Sequence, residues 1–374
     1  KDEIGKSFTF KEESICHPHG TNYLGGKIYQ REIDGAKCWS FNSKQYVTQA
    51  WKNVEEQLLK RVARGDDRFN ANITRADSDK PSLLKPTANA LPGDYHPELD
   101  MSDELKPMDA AYYQSLIGVL RWIVELGRVD LALECSVMSS CLALPREDHL
   151  RKVLQIFGYL KAHSNTELVF DPHLPEWYGT REEQFPLQDW KGTPYFTGEN
   201  SLKEEKPENA PEPRGFGMVM SAFCDSDHAG CKVTRRSRTG FLVYLQSGLV
   251  YWHSKKQAGV ETSSFGSEFI AMKQCTEYVR GLRYKLAMMG IRCDECCYIF
   301  GDNQSMLVNS SMPDSMLRKK SNSVAYHFVR KGTARDEWRC TYVKSEHNHS
   351  DLLTKIIPNG EKRMFHVQKI LHWI

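Results

Sequence analysis

Met218-Val219-Met220-Ser221-Ala222-Phe223-Cys224-Asp225-Ser226-Asp227 is the stretch on which the fold turns. Met218, Met220, Ala222 and Cys224 alternate with the opposite face, the period of a strand, and the strand runs into an acidic end. Phe241 to Leu245 and Leu249 to Trp252, separated by Gln246-Ser247-Gly248, read as a hairpin following on from it. Ser263-Ser264 then precedes a long helix in which Ile270, Cys275, Val279, Leu282, Leu286 and Met289 recur at helical intervals, with Gly290 as its stop. A short buried strand, Cys297-Tyr298-Ile299-Phe300, leads through Gly301 to Asp302, and Asn303 to Leu307 begins the next helix. A further helix around Val324 to Arg330, a strand Arg339 to Val343 and a helix opening near Ser350-Asp351 complete an α/β unit.

Four acids stand at the edges of these elements: Asp225, Glu268, Asp302 and Asp351. Singly, each Asp reads as a cap for free N–H groups at a helix start. Brought together, four carboxylates repel one another and are stable only when cations neutralise them. Hard oxygen ligands select Mg²⁺ or Mn²⁺, and two such ions about 4 Å apart activate water on one side of a phosphodiester and stabilise the leaving oxygen on the other. Asp227, two residues beyond Asp225, supports that site or simply faces solvent.

Phe223-Cys224-Asp225-Ser226-Asp227-His228-Ala229-Gly230, Arg238-Thr239-Gly240-Phe241, Trp252 to Gln257, Ser267-Glu268-Phe269-Ile270-Ala271, Gly301 to Ser305 and Ala325 to Arg330 follow one another along the chain. In that order they resemble the ribonuclease H segment of copia-type retrotransposon polyproteins, and Asp351-Leu352-Leu353-Thr354-Lys355 looks like its closing Ala-Asp-Ile-Phe-Thr-Lys stretch. Ile4 to Thr9 and Tyr23-Leu24-Gly25-Gly26 are similar to the segment after a reverse-transcriptase palm, and Tyr112 to Gly118, Val129 to Leu131 and Ile156 to Lys161 to the thumb and connection. The resemblance implies a ribonuclease H-like mixed sheet with flanking helices, preceded by an α+β thumb and connection remnant. It implies an endonuclease that cuts the RNA strand of an RNA–DNA hybrid with two Mg²⁺ or Mn²⁺ ions, leaving a 5′-phosphate. Asp225, Glu268 and Asp302 would ligate the ions, and Asp351 would complete the second position. Gly266 stands where relatives often carry a second Glu. No Tyr-x-Asp-Asp occurs in the sequence, so the chain alone is not expected to make DNA; a palm of the same polyprotein would lie upstream. A catalytically inactive nucleic-acid-binding remnant is the rival reading.

From Arg214 onward the chain holds 24 Lys and Arg against 14 Asp and Glu, a net of +10, while the preceding residues hold 26 against 34, a net of −8. The basic half is thus the one carrying the acidic quartet, as expected of a surface that grips phosphates. Arg235, Arg236, Arg238, Lys255 and Lys256, with Lys232 and the Arg318-Lys319-Lys320 run, are read as phosphate contacts or as an ordinary solvated face. Ser226, Asn303 and Gln304 are candidates for sensing a 2′-hydroxyl. His347 and His349, just ahead of Asp351, are loop histidines or a proton shuttle.

Length and a hydrophobic content of 40% imply two or three domains. The expected division is residues 1–171, with a linker at 64–109, a Pro-rich linker at 172–213 and the nuclease at 214–374. Eleven scattered cysteines fit reduced thiols. Cys293-x-x-Cys296-Cys297 and Cys16-His17-Pro18-His19 lack the second ligand pair of a zinc site and read as loops. No apolar run reaches membrane-spanning length and Lys1-Asp2-Glu3 is no secretory leader, so a soluble, intracellular protein of the cytoplasm, a virus-like particle or the nucleus is expected. The missing initiator Met is expected of a fragment or processed product.

Overall fold

The computed structural model describes residues 15–66, 68, 74–75, 81–196, 204, 206, 208–317 and 320–373. The motif at Ile4 to Thr9 and the Arg318-Lys319 pair lie outside the described residues. Among the described residues no helix is long and apolar enough to cross a membrane.

The first half runs β1 (Thr21–Tyr23), β2 (Gly26–Ile33), β3 (Ala36–Asn42), α1 (Lys44–Ala63), α2 (Pro107–Glu125), α3 (Ala132–Ser139), α4 (Glu147–Ala162) and β4 (Thr166–Phe170). The second runs β5 (Met220–Asp227), β6 (Arg238–Leu245), β7 (Gly248–Lys256), α5 (Ser264–Met288), β8 (Cys297–Gly301), α6 (Gln304–Ser311), α7 (Ser323–Ala334), β9 (Trp338–Tyr342), α8 (Glu361–Ile370) and β10 (His372–Trp373). Two five-stranded sheets result, ordered β1-β2-β3-β4-β10 and β9-β8-β5-β6-β7. The first is antiparallel throughout. In the second, β8 is parallel to both β5 and β9, whereas β5, β6 and β7 form an antiparallel meander. That is the ribonuclease H-like mixed sheet with flanking helices.

Both faces of the second sheet are covered, which explains why Phe241–Leu245 is apolar without a break. Phe241 and Val243 join Met220, Ala222 and Cys224 in a core closed by Phe269, Met272, Cys275 and Val279 of α5. Leu242 and Tyr244 face the other way, into a core built by α1 to α4. The first half therefore supplies the second layer of the sheet that carries the acids. In α2, Tyr113, Leu116, Ile117, Leu120, Ile123 and Val124 are all buried, as their spacing requires. The end of α5 differs from expectation: Met289 is the C-cap residue and is 63% exposed, because the apolar stripe ends one turn earlier at Leu286. The hairpin turn is also tighter than read, since Gly248 pairs with Leu245 and only Gln246 and Ser247 lie outside the strands.

The two stretches of low periodicity are anchored. Leu83, Leu84, Ala90 and Leu91 are buried, and Gly158 of α4 lets the Lys85 carbonyl approach closely. Phe185 and Trp190 are buried as well, with Phe185 edge-on to Tyr298 and Phe300 of β8. Only short elements occur there, such as the 3₁₀ turn Pro97–Leu99 and the one-turn helix Arg181–Gln184, so missing periodicity reports the lack of a long regular element and says nothing against burial. The chain finally returns to its beginning, as His372 and Trp373 of β10 pair with Glu167 and Thr166 of β4.

Candidate metal centre

Phe223 of β5 and Phe300 of β8 are register partners, and Asp225 and Asp302 each stand two residues further on, so both emerge at the same end of adjacent parallel strands. Such carboxyl ends are where open α/β sheets place their ligands. Glu268 comes from the first turns of α5, whose start is fixed by Ser263 Oγ accepting the Gly266 N–H at 3.2 Å. One oxygen each from Asp225, Glu268 and Asp302 lies within 4.8 Å of the others. Asp225 and Glu268 are buried and Asp302 is partly open to solvent.

Burial, with Asp225 and Asp302 nearby, pushes the Glu268 carboxyl up to about 10. Burial likewise raises Asp225 to about 6, against the pull of Lys355 and with Asp351 and Asp302 adding to the rise. Glu268 Oε2 is buried and has no hydrogen-bond partner among the described residues. An orphaned acceptor in a cluster with excess negative charge fits a hard divalent cation. Thr354 Oγ donates to Asp225 Oδ2, and Ser345 Oγ donates to Asp302 Oδ2 at 2.6 Å, so two hydroxyls hold the carboxylates from outside.

The fourth acid is placed differently. The segment read as a helix opening at Ser350 is a 3₁₀ turn, His349–Leu353, and the α-helix starts only at Glu361, beyond Pro358. Asn348 pins that turn by donating to the Cys224 carbonyl at 3.0 Å. Gly240 of β6 admits it, because a Cβ there would meet Leu353, Thr354 and the Ser350 carbonyl. Asp351 joins the triad through a lysine: Lys355 Nζ lies 2.8 Å from Asp351 Oδ1 and 3.3 Å from Asp225 Oδ2, while Lys362 Nζ lies 3.2 Å from Asp351 Oδ2. Burial opposes the Lys355 ammonium, but Asp225 and Asp351 outweigh it and its pKa is raised. Thr354, Lys355, Lys362, Ser345 and Gly240 carried no role in the sequence reading. The available signals were the family-like stretches that contain Gly240, Thr354 and Lys355, and the four-residue spacing of Asp351 and Lys355, an ion-pair distance on a helical turn.

The residues expected to meet nucleic acid divide. Arg235, Lys255 and Gln304 are exposed, and Arg236 and Lys256 half-buried. Ser226 and Arg238 are instead buried: they lie within the β5–β6 pair, and Arg238 Nη1 donates to Ser136 Oγ of α3 at 2.5 Å. Asn303 caps α6 by accepting the Met306 N–H at 2.9 Å. Asp227 turns inward, accepting the Arg238 N–H, and burial raises it to about 7. His347 is exposed; His349 packs on Phe223 and Phe365, and burial lowers it to about 3. All eleven cysteines are free, and Cys297 opens β8.

The sheet and its acidic end define a ribonuclease H-like unit attached to a helical first half. The chain is a homologue of retrovirus-related Pol polyproteins of plant transposons. It is 23% identical over 369 residues to the Pol polyprotein from transposon TNT 1-94 of Nicotiana tabacum, covering 96% of this chain and 22% of that one. It is 24% identical over 259 residues to that from transposon RE1 of Arabidopsis thaliana, covering 69% and 15%. The chain thus spans about a fifth or less of the length of these relatives. No family model matches. Among solved structures, RNase H1 of Halobacterium salinarum is 16% identical, with a TM-score of 0.28, covering 36% of this chain and 94% of that one.

Proposed function

We propose that the chain is the C-terminal part of a copia-type reverse transcriptase and hydrolyses the RNA strand of RNA–DNA hybrids. One observation carries the reading: Asp225, Glu268 and Asp302, from two strand ends and a helix, meet within 4.8 Å, and among the described residues nothing hydrogen-bonds the buried Glu268 Oε2. Asp225, Glu268 and Asp302 would hold Mg²⁺ or Mn²⁺, with Asp351 completing a second position. When bound, the ions supply a nucleophile from water at neutral pH and charge stabilisation at the leaving oxygen. The residues do the rest. Thr354 and Ser345 orient Asp225 and Asp302; the buried triad excludes bulk water from one side; Arg235, Lys255 and Lys256 bring positive charge to a phosphate backbone. Gln304, exposed two residues beyond Asp302, would in this reading meet a ribose hydroxyl.

In this reading residues 1–171 are the post-palm, thumb and connection part, 172–213 a tether and 214–374 the nuclease, and an upstream palm would complete a polymerase. The test is incubation of the full chain with an end-labelled hybrid and Mg²⁺. RNA shortened by wild type and spared by Asp302→Asn supports the assignment; equal loss with both proteins, or intact RNA with wild type at high concentration, overturns it.

A further inference from the structure

The metal centre is asymmetric. On the Glu268 side Oε2 is unbonded and no basic side chain of the described residues pairs with Glu268. On the Asp351 side both carboxylate oxygens are ion-paired, Oδ1 with Lys355 and Oδ2 with Lys362, and Lys355 also reaches Asp225 Oδ2. We propose that Lys355 is a resident cation occupying the second ion position between Asp225 and Asp351, so that a first ion binds beside Glu268 unopposed and a second must displace the lysine. This rests on reading the cluster as a divalent-metal centre.

The geometry says which partner moves. Asp225 and Asp351 have side chains 1% and 2% exposed and are held by Thr354 and by the turn over Gly240. Lys355 is 45% exposed, on a four-carbon stem anchored four residues beyond Asp351. Swinging its tip into water is cheap, because an ammonium recovers its hydration there. Neutralising the same two carboxylates twice is not favourable, so ion and ammonium exclude one another. The lysine keeps the metal-free centre from carrying uncompensated charge at Asp225 and Asp351. It also ties the second ion to conditions that draw the ammonium away, of which a phosphate backbone laid across the site is the chemically suited one.

The test is Mn²⁺ titration of the full chain without nucleic acid, followed by calorimetry and by the paramagnetic resonance signal of free Mn²⁺. Wild type, Lys355→Met and Lys355→Arg are compared, with circular dichroism confirming that each is folded. Wild type should bind two ions in unequal steps. Lys355→Met should tighten the second step by roughly tenfold or more and the first by no more than about threefold, while Lys355→Arg leaves the steps unequal. Lys362→Met, which frees only one Asp351 oxygen, should give a smaller gain and serves in place of a Lys355→Met that does not fold. A second step unchanged or lost in folded Lys355→Met overturns the proposal, the latter because the lysine would then be holding Asp351 in ligating position. Absence of even the first step in wild type overturns the metal reading itself, a different result from failure of the second step alone.

Discussion

Two of the buried charge clusters among the described residues are built on opposite principles. Beside α3 and α4, Arg128 grips Asp130 through two hydrogen bonds of 2.9 and 2.8 Å, Tyr159 donates to Asp130 at 2.9 Å, and Arg363 of α8 lies 3.4 Å from Glu134 and donates to the Asp130 carbonyl at 2.9 Å. Two guanidiniums face two carboxylates, and only Glu134 Oε2 is left without a partner. In the acidic triad, the half-exposed ammonium of Lys355 pairs with Asp225 alone of the three carboxylates, among the described residues. Asp225 and Glu268 are buried almost as fully as the members of the first cluster, but their charges are not balanced as those are. A balanced buried cluster fixes how parts of a fold meet, whereas an unbalanced one costs stability and persists where a cation from outside completes it.

The largest expected effect separates the clusters by activity. If the proposed reading holds, Asp302→Asn or Glu268→Gln, each removing a proposed ion ligand, should lower hybrid cleavage roughly 10³-fold or more. The same assay on Glu134→Gln should change the rate by far less, as Glu134 lies in the structural cluster. Comparable losses from both substitutions would erase the distinction. Next in size is stability. Arg363→Met leaves Glu134 buried without its cation and should cost about 3–5 kcal/mol in urea unfolding, and the double change Arg363→Met with Glu134→Leu should recover much of it. Glu268→Gln should act in the opposite direction, stabilising the metal-free protein by about 1–2 kcal/mol through relief of carboxylate crowding. A destabilised Glu268→Gln would show that the triad is balanced by something other than an added cation.

The two clusters were unequally legible. The triad could be read because its members sit at element ends, where strand alternation and helix starts are visible locally: Asp225 after Cys224, Glu268 after Ser263-Ser264, Asp302 after Gly301. The balanced cluster could not, because Arg363 lies 233 residues beyond Asp130 and only packing of α8 brings them together. Lys355 was hidden for another reason. Its spacing from Asp351 suggests an ordinary surface ion pair, and the reach to Asp225 depends on Gly240 letting the turn settle on β6. Arg238 and Ser226 were misplaced because charge and polarity suggest surface, yet α3 of the first half covers the end of the β5–β6 pair. A layer contributed by a residue 102 positions away leaves no trace in the local pattern.

A third solution for a buried titratable group is to stay neutral, and His253 of β7 adopts it. Its ring stacks on Phe241 with centroids 4.7 Å apart and planes 21° from parallel, and burial, followed by Lys255 and Arg238, lowers its pKa to about 4. The unfolded chain takes up a proton on this histidine near pH 6.5, while the folded chain resists until about 4. Within that window the unfolded state binds more protons. The contribution of the neutral ring is therefore complete above pH 6.5 and is lost as the pH falls toward 4. Between pH 7 and pH 5 the loss should amount to about 1–2 kcal/mol, and His253→Phe should flatten the urea midpoint across the same range relative to wild type. An unchanged slope in folded His253→Phe would mean that the ring already exchanges its proton with water in the folded protein. The contrast with Glu268 would then be sharper still, leaving the triad as a centre where burial and neighbouring carboxylates together hold a carboxyl out of its ordinary range.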